Sequence, residues 1–191
     1  MHVLVVDESA ERGEALRAAL RTAGYQVASV LGSPLALLKT IEELRADVVV
    51  IDVASPSRDV LEQLTAVMRH APRPIVMFAA DDSAGAIREA TRAGVSAYVV
   101  DGLERKSIKA IVDAAVARFE EFQALRARLA EADFKLSERK VVEKAKGLLM
   151  KQRGLDEDAA YAALRKMAMD RSLKLAEVAR RVIEAADILG A

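Results

Sequence analysis

Two apolar runs that each lead into acidic residues decide the fold of this chain: Val3-Leu4-Val5-Val6 precedes Asp7 and Glu8, and Val48-Val49-Val50-Ile51 precedes Asp52. Runs of valine, isoleucine and leucine without polar alternation are typical of strands that are buried on both faces of a parallel sheet. Because the carboxyl ends of parallel strands meet at one edge of such a sheet, we expect the three acidic side chains to lie close together.

Three further apolar runs continue this pattern, at residues 27–31, 75–80 and 97–100. Between the runs lie amphipathic stretches at about residues 9–23, 34–45, 58–70 and 83–93. Strands that alternate with helical stretches indicate crossover connections and helices on both faces of a parallel sheet. We therefore predict an α/β domain over residues 1–106, built on a five-stranded doubly wound parallel sheet.

The stretch 107–136 contains no glycine or proline, and its apolar residues recur with heptad spacing. This spacing predicts one long helix whose apolar seam can pair with that of a second copy as a coiled coil, giving a homodimer. Arg118 interrupts the seam, so the alternative is a last helix packed on the sheet and followed by a solvated extension. The residues predicted to form the dimer seam are Ile108, Ile111, Ala115, Phe122, Leu125 and Leu129.

The last segment, residues 137–191, predicts three short helices that pack as a bundle, since helices of this length are not stable alone. Ser137 is a candidate N-cap of the first helix, Gly154 ends it, Asp156 can cap the second, and Ser172 lies near the start of the third. The segment has a net charge of +3, whereas residues 1–136 have a net charge of −3. This asymmetry fits an acidic regulatory part joined to a basic binding part.

The composition excludes several classes of protein. With 52% hydrophobic residues the chain can form a substantial core, and without cysteine it has neither disulfides nor thiolate chemistry. We find no signal-peptide pattern and no apolar stretch long enough for a membrane span, so we expect a cytoplasmic protein. His2 and His70 lie away from the acidic residues and there is no glycine-rich phosphate loop, so we expect no enzymatic activity.

Clustered carboxylates repel one another, so a pocket formed by Asp7, Glu8 and Asp52 requires a bound cation or raised pKa values. Hard oxygen ligands favour Mg²⁺, which such a pocket would be able to hold, although we expect no obligatory cofactor. The alternative is that acidic residues at strand ends simply cap the helices that follow.

The two runs and their aspartates resemble the first and third strands of response-regulator receiver domains, and the resemblance extends to about residue 115. It implies a flavodoxin-like fold with Asp52 at the phospho-acceptor position. It also implies that Asp7, Asp52 and the carbonyl of Ala54 would hold Mg²⁺. Tyr98 would then be the switch aromatic of the fifth strand, for which an ordinary sheet aromatic is the alternative.

Two switch positions depart from the receiver pattern. Receivers carry Ser or Thr after the fourth strand and Lys after the fifth, whereas this chain has Ala79 followed by Ala80, and Asp101. A methyl group cannot donate a hydrogen bond and a carboxylate repels a phosphoryl group, so a hydroxyl bond and a charge-assisted bond are lost. We therefore expect phosphorylation of Asp52 to do little, and a protein partner to set the state of this domain.

Helical periodicity places the cations of the last segment on exposed flanks of its first two helices. Such cations can meet phosphates, while an outward methionine and a border tyrosine can contact bases. The alternative is ordinary solvated Lys and Arg beside a core. The residues placed on these faces are Arg139, Lys140, Lys144, Lys146, Lys151, Tyr161, Arg165, Lys166 and Met169.

The motifs Ala145-Lys-Gly-Leu-Leu-Met150 and Leu164-Arg-Lys-Met-Ala168 closely resemble the ANTAR output domain, over about residues 130–189. The resemblance implies binding to tandem hairpins in nascent leader RNA, which blocks terminator formation. Hairpin loops suit recognition because their bases are unstacked and accessible. We expect Gly147 to permit close helix packing rather than to touch RNA. The RNA contacts implied by the resemblance are Arg139, Lys144, Lys146, Tyr161, Arg165, Met169 and Arg171.

The stretch Ala93-Gly94-Val-Ser-Ala-Tyr98-Val-Val-Asp101-Gly102-Leu103 resembles the NasT subgroup of these regulators. This resemblance implies a role in nitrate and nitrite assimilation, with an inhibitory partner similar to a nitrate sensor. The partner would mask the basic segment or block helix pairing until it releases the chain. The competing function is a phosphorylation-controlled response regulator that binds RNA or DNA, and gel shifts with both nucleic acids would distinguish the two.

Overall fold

The computed structural model describes residues 1–7, 9–31, 37–100 and 107–188, which belong to two compact units. The first unit comprises Met1–Gln123 and the second Ala124–Ala191. Each unit has hydrophobic core residues of its own. No helix in the described parts of the chain is both long enough and apolar enough to cross a membrane.

Five parallel strands form the sheet of the first unit: β1 (His2–Asp7), β2 (Gln26–Leu31), β3 (Val48–Val53), β4 (Ile75–Ala79) and β5 (Ala97–Val100). Their order across the sheet is β2-β1-β3-β4-β5. The strands coincide with the five predicted apolar runs, so the predicted fold class is confirmed. The strand order reverses at the boundary between β1 and β3, which is where ligand sites of doubly wound folds lie.

Helices cover both faces of this sheet. They are α1 (Ala10–Thr22), α2 (Leu37–Leu44), α3 (Arg58–His70), α4 (Ala84–Arg92) and the first turns of α5 (Ile108–Arg153). One core cluster joins α2, α3 and α4 to the sheet and contains Leu4, Ile41 and Leu64. The other joins α1 and α5 to the opposite face and contains Leu20 and Val50. The central strands β1 and β3 are thus buried on both faces, and their aspartates lie at or near their carboxyl ends.

The start of α5 belongs to this core, which corrects part of the predicted dimer seam. Ile108 and Ala115 are buried against the sheet, and Ile111 is partly buried beside them. The hydroxyl of Tyr25 donates a hydrogen bond to a carboxylate oxygen of Asp113 at 2.6 Å, which holds these turns in place. Heptad spacing did not distinguish the sheet from a partner helix, because both bury the same stripe of a helix.

Beyond those turns α5 continues without a break to Arg153. Ser137, predicted to cap a new helix, lies exposed inside α5, so that prediction is wrong. The remaining seam residues, Phe122, Leu125 and Leu129, each expose half or more of their surface. This part of the seam is therefore accessible to another molecule.

The second unit packs the end of α5 with α6 (Glu157–Asp170) and α7 (Leu175–Ile188). Gly154 follows α5 with a φ of 63°, and the Asp156 side chain accepts a hydrogen bond from the N–H of Ala159 at 2.7 Å. The predicted end of the first helix and the predicted cap of the second are therefore confirmed. The buried core of this bundle includes Ala145, Leu149, Ala160, Leu164 and Val178.

Candidate functional site

Of the acidic residues predicted at this end of the sheet, Asp7 and Asp52 are described, whereas Glu8 and Asp101 lie outside the described residues. Asp7 and Asp52 are Cα partners in the register of β1 and β3. Asp7 is 2% exposed, whereas Asp52 is half-buried. The sequence therefore predicted correctly that these two aspartates lie side by side.

The two oxygens of Asp7 have different surroundings. Oδ1 accepts a hydrogen bond from the N–H of Ser9 at 2.7 Å and lies 3.5 Å from a guanidinium nitrogen of Arg12. Oδ2 is buried and has no hydrogen-bond donor among the described residues. A buried carboxylate oxygen without a donor is costly, and a bound cation would satisfy it. Asp7, with Asp52 beside it, would hold a Mg²⁺ ion through this oxygen.

Ala54, the predicted third ligand, uses its carbonyl oxygen differently. It accepts hydrogen bonds from the backbone N–H groups of Ala80 and Asp81, both at 3.1 Å. A carbonyl has two lone pairs, so this oxygen is already satisfied and the predicted ligand role of Ala54 is not supported. In the described part of the chain, no group of three or more His, Cys, Asp or Glu is arranged to hold a metal.

The switch positions lie beside these bonds. Ala79 is buried and Ala80 is exposed, and neither offers a hydroxyl group at the end of β4. The hydroxyl of Tyr98 donates to the backbone carbonyl of Asp81 at 2.6 Å, while its ring packs partly buried on the core. Burial raises the pKa of the Tyr98 hydroxyl, which therefore remains a donor at neutral pH. Tyr98 is thus an inward-facing aromatic that is tied to the loop after β4.

Asp81 also joins the loops that follow β3 and β4. Its carboxylate accepts hydrogen bonds from the hydroxyl of Ser55 at 2.8 Å and from the N–H of Ser83 at 2.9 Å. The bond from the Ser83 backbone is the largest cause of its lowered pKa, and the two serine hydroxyls lower the pKa further. We did not predict Arg12, Ser55 or Asp81 from the sequence. Helix-capping serines before α3 and α4 were a signal for these turns, but the link between the loops depends on tertiary structure.

Three lysines of α5 form one exposed face in the second unit. Lys140, Lys144 and Lys151 are exposed, and their spacing places them on the same side of the helix. Gly147 lies between them and is exposed, and a Cβ added there would meet no atom within 4 Å. The predicted role of Gly147 in close helix packing is therefore wrong. A helix-interior glycine in open space leaves the backbone accessible between three cations.

Lys146 is not on the surface, which corrects its predicted role. Its side chain is 10% exposed, and its ammonium nitrogen lies 2.6 Å from a carboxylate oxygen of Glu143 and 2.7 Å from one of Glu157. The hydrogen bond to Glu143, and then that to Glu157, raises the pKa of Lys146. Lys146 therefore links α5 to α6 inside the bundle. A helical projection placed it on a flank because the projection contains no information on the neighbouring helix.

The helix α6, the second helix of the bundle, presents an aromatic ring, a cation and a thioether in one line. Tyr161, Arg165 and Met169 follow one another at four-residue spacing on α6, and all three are exposed. Tyr161 is 45% and Met169 70% exposed, so both side chains are accessible to a ligand. Lys166 and Arg171 are exposed as well.

A groove of about 410 Å³ connects these elements within the second unit. Its lining includes Arg139 from α5, Tyr161 from α6 and Lys174 beside the start of α7. Arg139 and Tyr161, predicted separately from two helices, therefore lie on a common concave surface. Lys174 was not predicted, because it stands in a short connection without helical periodicity.

Two families match the chain. The response regulator receiver domain matches residues 3–113, and the ANTAR domain matches residues 125–183. These matches coincide with the parallel sheet and with the three-helix bundle. The chain belongs to the ANTAR-domain response regulators, as its motifs predicted.

The chain is similar to several regulatory proteins. The Transcriptional regulatory protein PdtaR of Mycobacterium tuberculosis is 31% identical over 182 residues, which cover 95% of this chain and 89% of that protein. The Nitrate regulatory protein of Klebsiella oxytoca is 46% identical over 63 residues, or 33% of this chain and 16% of that protein. A CheY-like receiver domain protein from Methanospirillum hungatei superimposes with a TM-score of 0.55 at 18% identity, covering 63% of this chain and 96% of that one, and shows the receiver fold.

Proposed function

We propose that this protein is an RNA-binding transcription antiterminator without enzymatic activity, which binds tandem hairpins in nascent leader transcripts. The observation that supports this most directly is the exposed surface of the ANTAR bundle. It combines the lysine face of α5 with the Tyr161, Arg165 and Met169 line of α6. Cations bind phosphates regardless of sequence, while an aromatic ring and a flexible thioether can contact unstacked bases.

Control by a protein partner is part of this proposal, and the receiver unit supports it. The loop after β4 is tied by bonds to Ser55, Ala54 and Tyr98. Mg²⁺ bound by Asp7 and Asp52 would neutralise the acidic pocket but would not supply the missing hydroxyl at Ala79. The partner we propose is a nitrate-sensor-like inhibitory protein, and the genes are those of nitrate and nitrite assimilation. Similarity to the Nitrate regulatory protein and the NasT resemblance support this assignment.

A second copy of the chain is the proposed partner of the exposed part of α5. Phe122, Leu125 and Leu129 repeat at positions a and d of one heptad frame and are largely exposed. Two paired chains would carry two ANTAR bundles to two hairpins. Tethering raises the effective concentration of the second bundle, so weak binding to one hairpin becomes firm binding to a pair.

The test compares purified full-length protein with leader RNA containing two hairpins, the same RNA with scrambled stems, and duplex DNA. We expect a salt-sensitive gel shift with the paired stem-loops and increased read-through of a terminator in transcription assays. Equal binding to folded and scrambled RNA would contradict the proposal.

A second candidate function is a phosphorylation-controlled response regulator that binds RNA or DNA. The buried, donor-free Oδ2 of Asp7 beside Asp52 favours it, since this arrangement suits the cation required for phosphoryl transfer. A shift with duplex DNA that appears only after treatment with a small-molecule phosphodonor would support this candidate over the first.

A further inference from the structure

The groove of the ANTAR bundle combines features that suit a single nucleobase. Its lining includes the apolar side chains of Val142 and Leu175 and the ring of Tyr161. Arg139 and Lys174 also line it and add positive charge. A flat apolar ligand can enter such a groove while its charged ends remain near the cations.

Two carboxylates, those of Glu138 and Glu143, also line the groove. They disfavour a phosphate inside it, because like charges repel at short range. A carboxylate only accepts hydrogen bonds, so it selects a ligand edge that donates them. The interior of the groove is therefore suited to a neutral group with N–H donors, and the cations are suited to the phosphates on either side of that group.

Glu143 is held in position by the buried lysine. The ammonium group of Lys146 contacts one carboxylate oxygen of Glu143 at 2.6 Å and also contacts Glu157 on α6. The carboxylate of Glu143 remains more than half exposed, with a second oxygen available for a ligand. Lys146 is thus a positioning residue, and Glu143 is a pre-oriented acceptor at the groove.

We propose that this groove receives one unstacked guanine from an RNA hairpin loop, and that Glu143 reads its donor edge. Guanine presents N1–H and the 2-amino group side by side, which match a carboxylate. Uracil presents a single N–H between two carbonyl oxygens, and a carboxylate repels those oxygens. Adenine and cytosine each present one amino group beside an acceptor nitrogen. The inference rests on the proposed RNA-binding function and adds a base preference to it.

The experiment is a selection of hairpins with randomised loops by the full-length protein, carried out in parallel with Glu143→Gln and Glu184→Gln variants. Glu184 is an exposed acid of α7 outside the groove, which makes it a matched control. We expect guanine to be enriched at one loop position by the wild type and by Glu184→Gln, and not by Glu143→Gln. Thermal melting of each variant verifies that it is folded.

A second measurement uses only the wild-type protein. Replacement of the selected guanosine by inosine removes the 2-amino group, and replacement by uridine leaves a single N–H donor between two carbonyl oxygens. Each is expected to weaken binding roughly tenfold, as for loss of a bidentate base contact. Hairpins bound without guanine enrichment, or with the same enrichment by Glu143→Gln, would overturn the groove assignment and leave RNA binding intact. Failure to enrich any hairpin would overturn the proposed function and the groove assignment together.

Discussion

The hydroxyl of Tyr98 on β5 donates a 2.6 Å hydrogen bond to the backbone carbonyl of Asp81, the second residue after the end of β4. The carboxylate of the same Asp81 accepts from Ser55 in the loop after β3. Asp81 thus joins Tyr98, the predicted switch aromatic, to the loop that follows Asp52, the predicted phospho-acceptor. None of these bonds involves the Asp52 side chain.

Asp52→Asn is therefore expected to preserve regulated output. The substitution removes the acceptor oxygen for phosphorylation and keeps the shape of the side chain, and the Ser55–Asp81–Tyr98 links do not involve it. The measurement is read-through of a leader terminator in cells, with and without the inducing nutrient. Complete loss of induction in Asp52→Asn, with normal protein abundance, would show that phosphorylation controls the protein.

The ion pair between the buried Lys146 and the exposed Glu157 predicts an acid-sensitive contribution to stability. The hydrogen bond that Glu157 accepts from Lys146 lowers the pKa of Glu157. A carboxylate whose pKa is lower in the folded state stabilises the fold above its ordinary pKa, and this stabilisation disappears as the pH falls through the lowered value. We expect Lys146→Met to lower the melting temperature at neutral pH and to reduce its acid dependence.

The matched control is Lys144→Met, which removes an exposed lysine from the same helix. Melting curves followed by circular dichroism at neutral and acidic pH provide the comparison. Equal melting temperatures for the two variants at both pH values would mean that the Lys146 pair does not stabilise the bundle.

The sequence predicted the sheet almost to the residue, because each strand is a short apolar run bounded by turns or caps. Sequence patterns within a single helix were less informative about where that helix begins and which of its side chains are buried, because neighbouring residues and helices decide both. Ser137 has the side chain of a cap, but α5 continues through it because the flanking residues favour helix. The partner of Lys146 at Glu157 is eleven residues away and depends on how α5 and α6 cross.

Gly147→Ala tests whether RNA approaches the backbone of α5. Since a Cβ there meets no atom within 4 Å, alanine is expected to raise stability by about 0.5–1 kcal/mol through helix propensity. RNA affinity is expected to fall, and to fall further in Gly147→Leu, because the side chain separates phosphates from the lysine face. Ser137→Ala is the control, since it also improves helix propensity at an exposed position of α5. Unchanged RNA binding in both Gly147 variants would exclude a close approach at this position.

The lysine face predicts a defined salt dependence. Each phosphate contact that is removed should reduce the slope of log K against log salt by about 0.7–0.9. Lys144→Ala and Lys151→Ala are therefore expected to weaken binding to all hairpins by a similar factor and to flatten this slope. Arg180→Ala, which removes an exposed cation of α7, is the comparison. A loss of RNA affinity that depends on the sequence of the hairpin loop would instead assign these lysines to base recognition.

The charges beside the exposed seam predict how two chains pair. In a parallel, in-register coiled coil with Phe122 at position a, Glu121 at g faces Arg126 at e of the second chain, and Arg128 faces Asp133 in the same way. Reversing one charge, as in Glu121→Lys, should weaken the dimer a few-fold, since an exposed pair contributes about 0.2–1 kcal/mol and symmetry doubles the loss.

The double variant Glu121→Lys with Arg126→Glu should restore pairing, because it exchanges the two signs and keeps opposite charges together. Glu120→Lys is the control, since Glu120 lies at position f, on the outside of the predicted coil. Sedimentation velocity with and without a two-hairpin RNA measures the dimer directly. In an antiparallel pair g faces g and e faces e, so the double reversal would not restore pairing through this contact. A monomer that binds both hairpins would rule out pairing of α5 altogether.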